Sequence, residues 1–291
     1  MTIRFHMVAI DLDGTLLNSA KEVTDATVAI LRTARQEAGV HIVLATARPP
    51  RSVMPTYNLL ELDTPMINYN GALVYEPSSR RILLHRPLAA KIVRGIVTLA
   101  RKLCPEVVVS GELLDRWFTD RVDSRYQTET ARLTGPDVVA PLESWLDQDL
   151  TKLLLLGQAA QLKIIAQAIH KQYPHQVQVL QTEDDLIQIT HATVSKAQAL
   201  RTVAAEMTVQ REQVMAIGDN ANDVGMLQWA GVAVAMGNAA PQALSVADHV
   251  ADHHDADGAA NAIRRIILEG KIPKSVRTAP RHRGRPKNSG W

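Results

Sequence analysis

The sequence predicts an α/β protein: an open, doubly wound parallel sheet interrupted by a smaller α+β module. Three observations carry this. Aromatic residues are only 4% of the chain while hydrophobic residues are 46%, so the core must be built from Leu, Val, Ile and Ala, which suits helices packed on a parallel sheet. Short β-branched apolar runs alternate with helical periodicity near both ends of the chain, the pattern of βαβ units. Between about residues 80 and 190 the alternation changes character and then resumes, so the middle reads as an insertion. A length of 291 residues with 21% charged residues suits one large or two ordinary domains of a globular protein.

Taken in order, MVAIDL (7–12) is a buried strand emptying into the Gly-containing loop Asp11-Leu12-Asp13-Gly14-Thr15. Thr24 caps a helix with Val28, Leu31 and Ala34 on one stripe, and Gly39 ends it. VHIVLAT (40–46) supplies a second buried strand and PMINYNG (65–71) a third, followed by the turn-rich EPSSRR. The insertion holds a helix in LAAKIVRGIVTLARKL, then EVVVSG, TKLLLLGQ, a helix in AQLKIIAQAIHKQY, QVQVLQT and DLIQITH. Ser195 then caps a helix SKAQALRTVAAEM. A strand VMAIGD (214–219), a helix DVGMLQWA, a strand VAVAMG and a last helix from Asp257 to Glu269 complete the order. The predicted division is 1–80 with 191–270 as the core, 81–190 as the inserted module, and 271–291 as a Pro, Gly, Arg-rich tail expected to be disordered.

Composition narrows the function classes. The N-terminal apolar run meets acidic residues at once, and no stretch approaches the roughly 18 uncharged apolar residues that span a bilayer; a cytoplasmic enzyme with no membrane association is implied. Cys104, the only cysteine, excludes an intrachain disulfide and reads as a packing residue. The formal charge of +2 is uneven: seven basic and no acidic residues fall in the last 21, leaving 25 basic against 30 acidic elsewhere, a body near −5.

Four signals fall at expected strand ends or helix starts, where an open parallel sheet places its ligand crevice. Asp11 and Asp13 share one loop, so one carboxylate can face a metal and a phosphorus atom while the other exchanges protons; the bland reading is a surface turn. Thr46 ends the second strand, where its hydroxyl and the following N–H groups could hold phosphoryl oxygens with Arg48 nearby. Lys196 adds a cation to a helix start, or is an ordinary surface lysine. Gly218-Asp219-Asn220-Ala221-Asn222-Asp223 places carboxylates four apart on a loop entering a helix, suited to a hard cation such as Mg²⁺, or to simple capping.

DLDGTLL, ATAR, Lys196 and GDNANDVGML together resemble the four ordered motifs of the haloacid dehalogenase superfamily. The insertion after Asn70-Gly71-Ala72, VSKAQAL and AMGNA resemble its Cof-like, C2-capped sugar-phosphate phosphatases. The resemblance, over about residues 5–269, implies a Rossmann-like core, a C2-type cap, and a Mg²⁺-dependent phosphatase acting on a small phosphorylated metabolite. It implies Asp11 as nucleophile forming an aspartyl-phosphate, Asp13 as general acid and base, and Thr46, Ala47, Arg48, Asn70, Lys196 and Asn222 as phosphate or substrate contacts. The implied metal residues are Asp11, Asp13, Asp219 and Asp223. Ala47 stands where the family usually has Gly, keeping its N–H but adding a methyl, and Ala197 where Gly often follows the lysine. The Asp- and His-rich stretch Asp248–Asp257 is read as a loop closing over the core. Arg116, Trp117 and Arg125 are candidate cap residues for reading the leaving group. The alternatives are a phosphosugar mutase or phosphotransferase, and a non-catalytic regulator whose tail, Arg283 to Lys287, resembles a DNA-binding AT-hook; a solvated tail without nucleic-acid binding is the preferred reading.

Overall fold

A computed structural model describes residues 5–126 and 135–271. Its central sheet is built from β1 (Met7–Ile10), β2 (His41–Leu44), and, after a long excursion of the chain, three more strands that are β12 (Val214–Gly218), β13 (Val232–Ala235) and β14 (His249–Val250) in chain order. They lie in the order β14-β13-β12-β1-β2, every pair parallel. β3 (Met66–Asn68) extends the β2 edge through an Ala45–Ile67 bridge. The fold is the α/β, doubly wound core that the alternation predicts.

Both faces of this sheet are covered, which is why its strands read as unbroken apolar runs. Val8 and Ile10 pack with Leu31 and Ala34 of α1 (Asp25–Ala38) on one side. Met7 and Ala9 pack on the other against a helix at Lys196–Glu206 and another at Val224–Trp229. Thr24 caps α1 by accepting the Thr27 N–H, and Gly39 ends it with φ 66. The closing helix, expected over 257–269, is α-helical at Gly258–Ile263 and π-helical at Arg264–Leu268.

Two helices escaped the sequence reading, one of them the four-residue helix at Pro241–Leu244. The other, α2 (Pro50–Leu59), starts with proline in its first turn and carries Pro55 inside, so three prolines in seven residues conceal it. A hairpin of β4 (Leu73–Glu76) and β5 (Arg81–His85) pairs with β3. It crosses residue 80, and Leu83 and Leu84 lie on the core helices.

The inserted module carries α3 (Ala90–Leu103), β6 (Val108–Leu113), β7 (Arg116–Thr119), β8 (Val138–Val139), β9 (Lys152–Leu156), α4 (Ala159–Gln172), β10 (Val177–Glu183) and β11 (Leu186–His191). Its sheet runs β10-β11-β9-β6-β7-β8. The two-residue period of the strands divides its faces. Val109, Leu153, Leu155 and Ile187 bury against α3 and α4. Their neighbours Val108, Ser110, Glu112, Lys152 and Leu154 line a cleft of about 1000 Å³. The helices that follow are α5 (Lys196–Glu206), α6 (Val224–Trp229), α7 (Pro241–Leu244) and α8 (Gly258–Ile263). Among the described residues no helix is long and apolar enough to cross a membrane. Arg283 to Lys287 lie outside the described residues.

Candidate active site

The chain leaves β1 for β2 on one side and returns after the insertion to β12 on the other, so a switch point opens beyond the ends of β1 and β12. Asp11 and Asp13 follow β1, Asp219 follows β12, and Asp223 opens the turn into α6. Thr46 follows β2, Asn70 follows β3, and Lys196 is the first residue of α5.

Lys196 is buried, and its Nζ lies 2.5 Å from Asp11 Oδ1 and 2.6 Å from Asp223 Oδ1. The other Asp223 oxygen accepts the N–H groups of Asp219 and Asn220, both at 3.0 Å, which ties the loop to the helix start. The Thr15 hydroxyl donates to Asp219 Oδ1 at 3.0 Å. Gly14 makes room for this: its φ is 79, and a Cβ there would sit 2.5 Å from Asp219 Oδ2. One oxygen from each of Asp11, Asp219 and Asp223 lies within 4.8 Å of the others, a group able to hold a metal ion.

Three carboxylates against one ammonium leave this cluster two negative charges in excess. Burial pushes the Asp11 carboxyl well above the usual range, with Asp223 and Asp219 adding to it and Lys196 opposing it. Burial and the Asp223 charge likewise raise Asp219. Lys196 is raised above an ordinary lysine because Asp11 and Asp223 outweigh its own burial. A hard divalent cation fits both the all-oxygen donor set and the missing charge.

The carboxylate of Asp13 stands outside this group. Arg48 clasps it with Nε at 2.7 Å and Nη2 at 2.5 Å, and Lys21 Nζ reaches it at 2.9 Å. Burial alone would raise Asp13; the Arg48 fork and Lys21 prevail and hold it low. Thr46 is buried, its Oγ1 accepting the Arg48 N–H at 3.1 Å, and Ala47 lines the cleft beside Arg48. Asn222 donates to Asn70 at 2.9 Å, joining the loops after β12 and β3. Gly71, with φ 100, lets that second loop touch Ser195, where a Cβ would lie 2.3 Å from the carbonyl oxygen.

Several residues went unnoticed in the sequence. Lys21, eight residues beyond Asp13, and the Thr15 hydroxyl were given no role, and nearness in the chain was their only signal. Arg51 of α2 binds Glu112 of β6 at 2.7 Å and the Asp115 side chain at 3.1 Å, and the Tyr69 hydroxyl donates to Glu112 at 2.7 Å. Glu112 alternates with apolar residues along its strand and could have been found from that period; Arg51 offered none. Of the candidate cap readers, Trp117 lines the cleft, whereas Arg116 lies over the Phe118 ring and Arg125 pairs with Asp123. In the Asp- and His-rich loop, Asp255 accepts from Ser19, and Asp257 from Thr24 and Thr27, bracing the loop against the start of α1. His253, His254 and Asp255 also approach one another closely enough to share an ion.

Comparison with known proteins places this geometry. A family model described as haloacid dehalogenase-like hydrolase matches residues 8–263. Phosphatase YwpJ of Bacillus subtilis is 28% identical over 286 residues, covering 90% of this chain and 99% of its own length. From the same organism, 5-amino-6-(5-phospho-D-ribitylamino)uracil phosphatase YitU is 26% identical over 270 residues, covering 91% and 98%. Among solved structures, a haloacid dehalogenase-like hydrolase from Bacteroides thetaiotaomicron superposes with TM-score 0.82 at 27% identity, covering 90% of this chain and 99% of that one.

Proposed function

The chain belongs to the haloacid dehalogenase-like hydrolases, and from that premise we propose that it is a Mg²⁺-dependent phosphatase of a small phosphorylated metabolite, working through an aspartyl-phosphate on Asp11. The observation that carries the reading is the convergence of Asp11, Asp219 and Asp223 on one point with Lys196 between two of them, while Asp13 stands apart on the same loop. Relatives of similar length are phosphatases by name, one of them of a phosphorylated ribitylaminouracil.

Mg²⁺ would be held by Asp11, Asp219 and Asp223, where it would offset the charge that repels a phosphate dianion from the carboxylates. Asp11 attacks phosphorus and the ester oxygen departs, taking a proton from Asp13. Water then gives a proton to Asp13 and attacks the acyl phosphate, freeing Asp11. Lys196 neutralises Asp11 before attack and phosphoryl oxygens after it. Arg48 and Lys21, which clasp Asp13 in the free protein, offer the arriving phosphate its donors, so binding loosens their grip on the proton carrier. Ala47 and Arg48 line the same end, with Thr46 behind them accepting the Arg48 N–H, and Asn70 and Asn222 are offered as further substrate contacts. The insertion roofs the cleft and selects the leaving group.

The test is release of inorganic phosphate from a panel of phosphorylated sugars, cofactors and nucleotides with Mg²⁺. Turnover is expected to stop with EDTA, to return with added Mg²⁺, and to vanish in a folded Asp11→Asn variant. Turnover that persists in that variant would refute the mechanism. Product analysis separates a mutase or phosphotransferase, which would pass the phosphoryl group to a sugar hydroxyl.

A further inference from the structure

The cleft wall on the insertion has a surplus of hydrogen-bond donors. Glu112, its central acceptor, is already engaged: Oε2 takes Arg51 and the Tyr69 hydroxyl at 2.7 Å each, and Oε1 faces Lys152. Two donors beside it are left over, and a lysine is only loosely engaged. Trp117 is only 8% exposed, and its buried Nε1 has no partner among the described residues. The buried Nε of Arg51 is likewise unpartnered, although its terminal nitrogens bind Glu112 and Asp115. Lys152, 5% exposed, has one ion pair at 3.4 Å and a position over the Tyr69 ring in place of close hydrogen bonds. All three residues line the cleft that also contains Asp13, Lys21 and Arg48, and the Arg51 guanidinium lies 6.0 Å from the centre of the Trp117 ring.

Buried donors without acceptors are costly and uncommon in native interiors, so two of them on the wall of one cleft, beside a lysine that shares its only carboxylate with an arginine, call for an acceptor from outside. Strand period brings them to this face: Trp117 on β7 and Lys152 on β9 flank Glu112 on β6, with Arg51 rising from α2 below. Flat side chains at the spot, the indole and the guanidinium, favour a flat ligand group. Resting on the phosphatase reading for the other end of the cleft, we infer that Trp117, Arg51 and Lys152 form an acceptor-binding subsite for the leaving group. The preferred substrate class is a phosphate ester whose alcohol portion carries a planar group rich in acceptor oxygens, a carboxylate or ring carbonyl, in preference to a bare polyol.

Two non-hydrolysable probes test this by calorimetry with Mg²⁺ present: phenylphosphonate, which lacks the acceptor, and 4-carboxyphenylphosphonate, which has it. The wild-type protein is expected to bind the carboxylated probe at least about fivefold more tightly. That ratio is expected to fall toward one in Trp117→Phe, which keeps an aromatic ring and removes the N–H with the second ring, and in Lys152→Met. Should Lys152→Met fail to fold, Trp117→Phe decides. Equal affinity of the wild-type protein for both probes, or a preference that survives the substitutions, would overturn the subsite. Because binding is read without turnover, absence of phosphate release in a parallel assay would count against the phosphatase reading alone.

Discussion

Lys196 holds apart, electrically, two carboxylates that would otherwise face each other in the interior. Replacing it by Met strips both of their counter-charge, and the fold should lose about 3–5 kcal/mol, read as a lower urea midpoint. An unchanged midpoint would mean that the two acids are already protonated or hydrated. Glu112 gives a pH test of the opposite kind. Burial by itself raises its carboxyl, but Lys152 and Arg51 prevail and hold it below the ordinary value of 4.5. A carboxyl depressed in the folded state stabilises the fold above its unfolded pKa, and that stability is lost as pH falls through the folded value. Wild-type protein should therefore lose stability below about pH 4.5 more steeply than Glu112→Gln; parallel curves would contradict the assignment.

At the level of elements, the site depends on one close approach, that of the Tyr69–Gly71 loop to the first turn of α5. Gly71→Ala forces a Cβ onto the Ser195 carbonyl at a backbone angle that side chains avoid, a cost of about 1–3 kcal/mol. Lys196 and Asn70 should move with it, so phosphate release should fall as well as the melting temperature; a variant with full activity would show that the contact is not needed. This approach was invisible in the sequence, because it joins residues far apart in the chain. The longer core strands were legible as unbroken apolar runs and most helices by an apolar stripe with marked ends: Thr24 and Gly39 bound α1, and Ser195 marks the start of α5. α2 was hidden by its prolines, and β7, with its Arg-Trp-Phe-Thr sequence, by its shortness. Within the site, the motifs pointed to Asp11, Asp219, Asp223 and Lys196, which the structure brings together. They did not reveal that Asp13 is clasped by Arg48 and Lys21, since long cationic side chains reach their partners in ways that spacing does not record.

For the molecule as a whole, the proposed mechanism makes the folded state, with its acidic body and its carboxylates gathered beyond β1 and β12, a receptor for a divalent cation. Binding to the folded state alone adds stability by mass action, about 2.7 kcal/mol at a hundred times the dissociation constant. Mg²⁺ should thus raise the melting temperature of the wild-type protein, and Asp219→Asn should lose most of that gain; an equal gain in both would place the ion elsewhere. The core and the insertion are joined by the buried Arg51–Glu112 pair and the Tyr69 hydroxyl, a polar seam between the two. The central claim is covalent: phosphorus passes through Asp11. An aryl phosphate with a good leaving group needs little help from Asp13 to form the acyl phosphate, whereas its breakdown does need a base, so Asp13→Ala should accumulate the intermediate. Mass spectrometry of that variant, quenched in acid during turnover of 4-nitrophenyl phosphate, is expected to find the phosphoryl group on the peptide carrying Asp11 and on that residue. Phosphoryl on another side chain, or nitrophenolate release with no phosphoryl on the protein, would contradict the account.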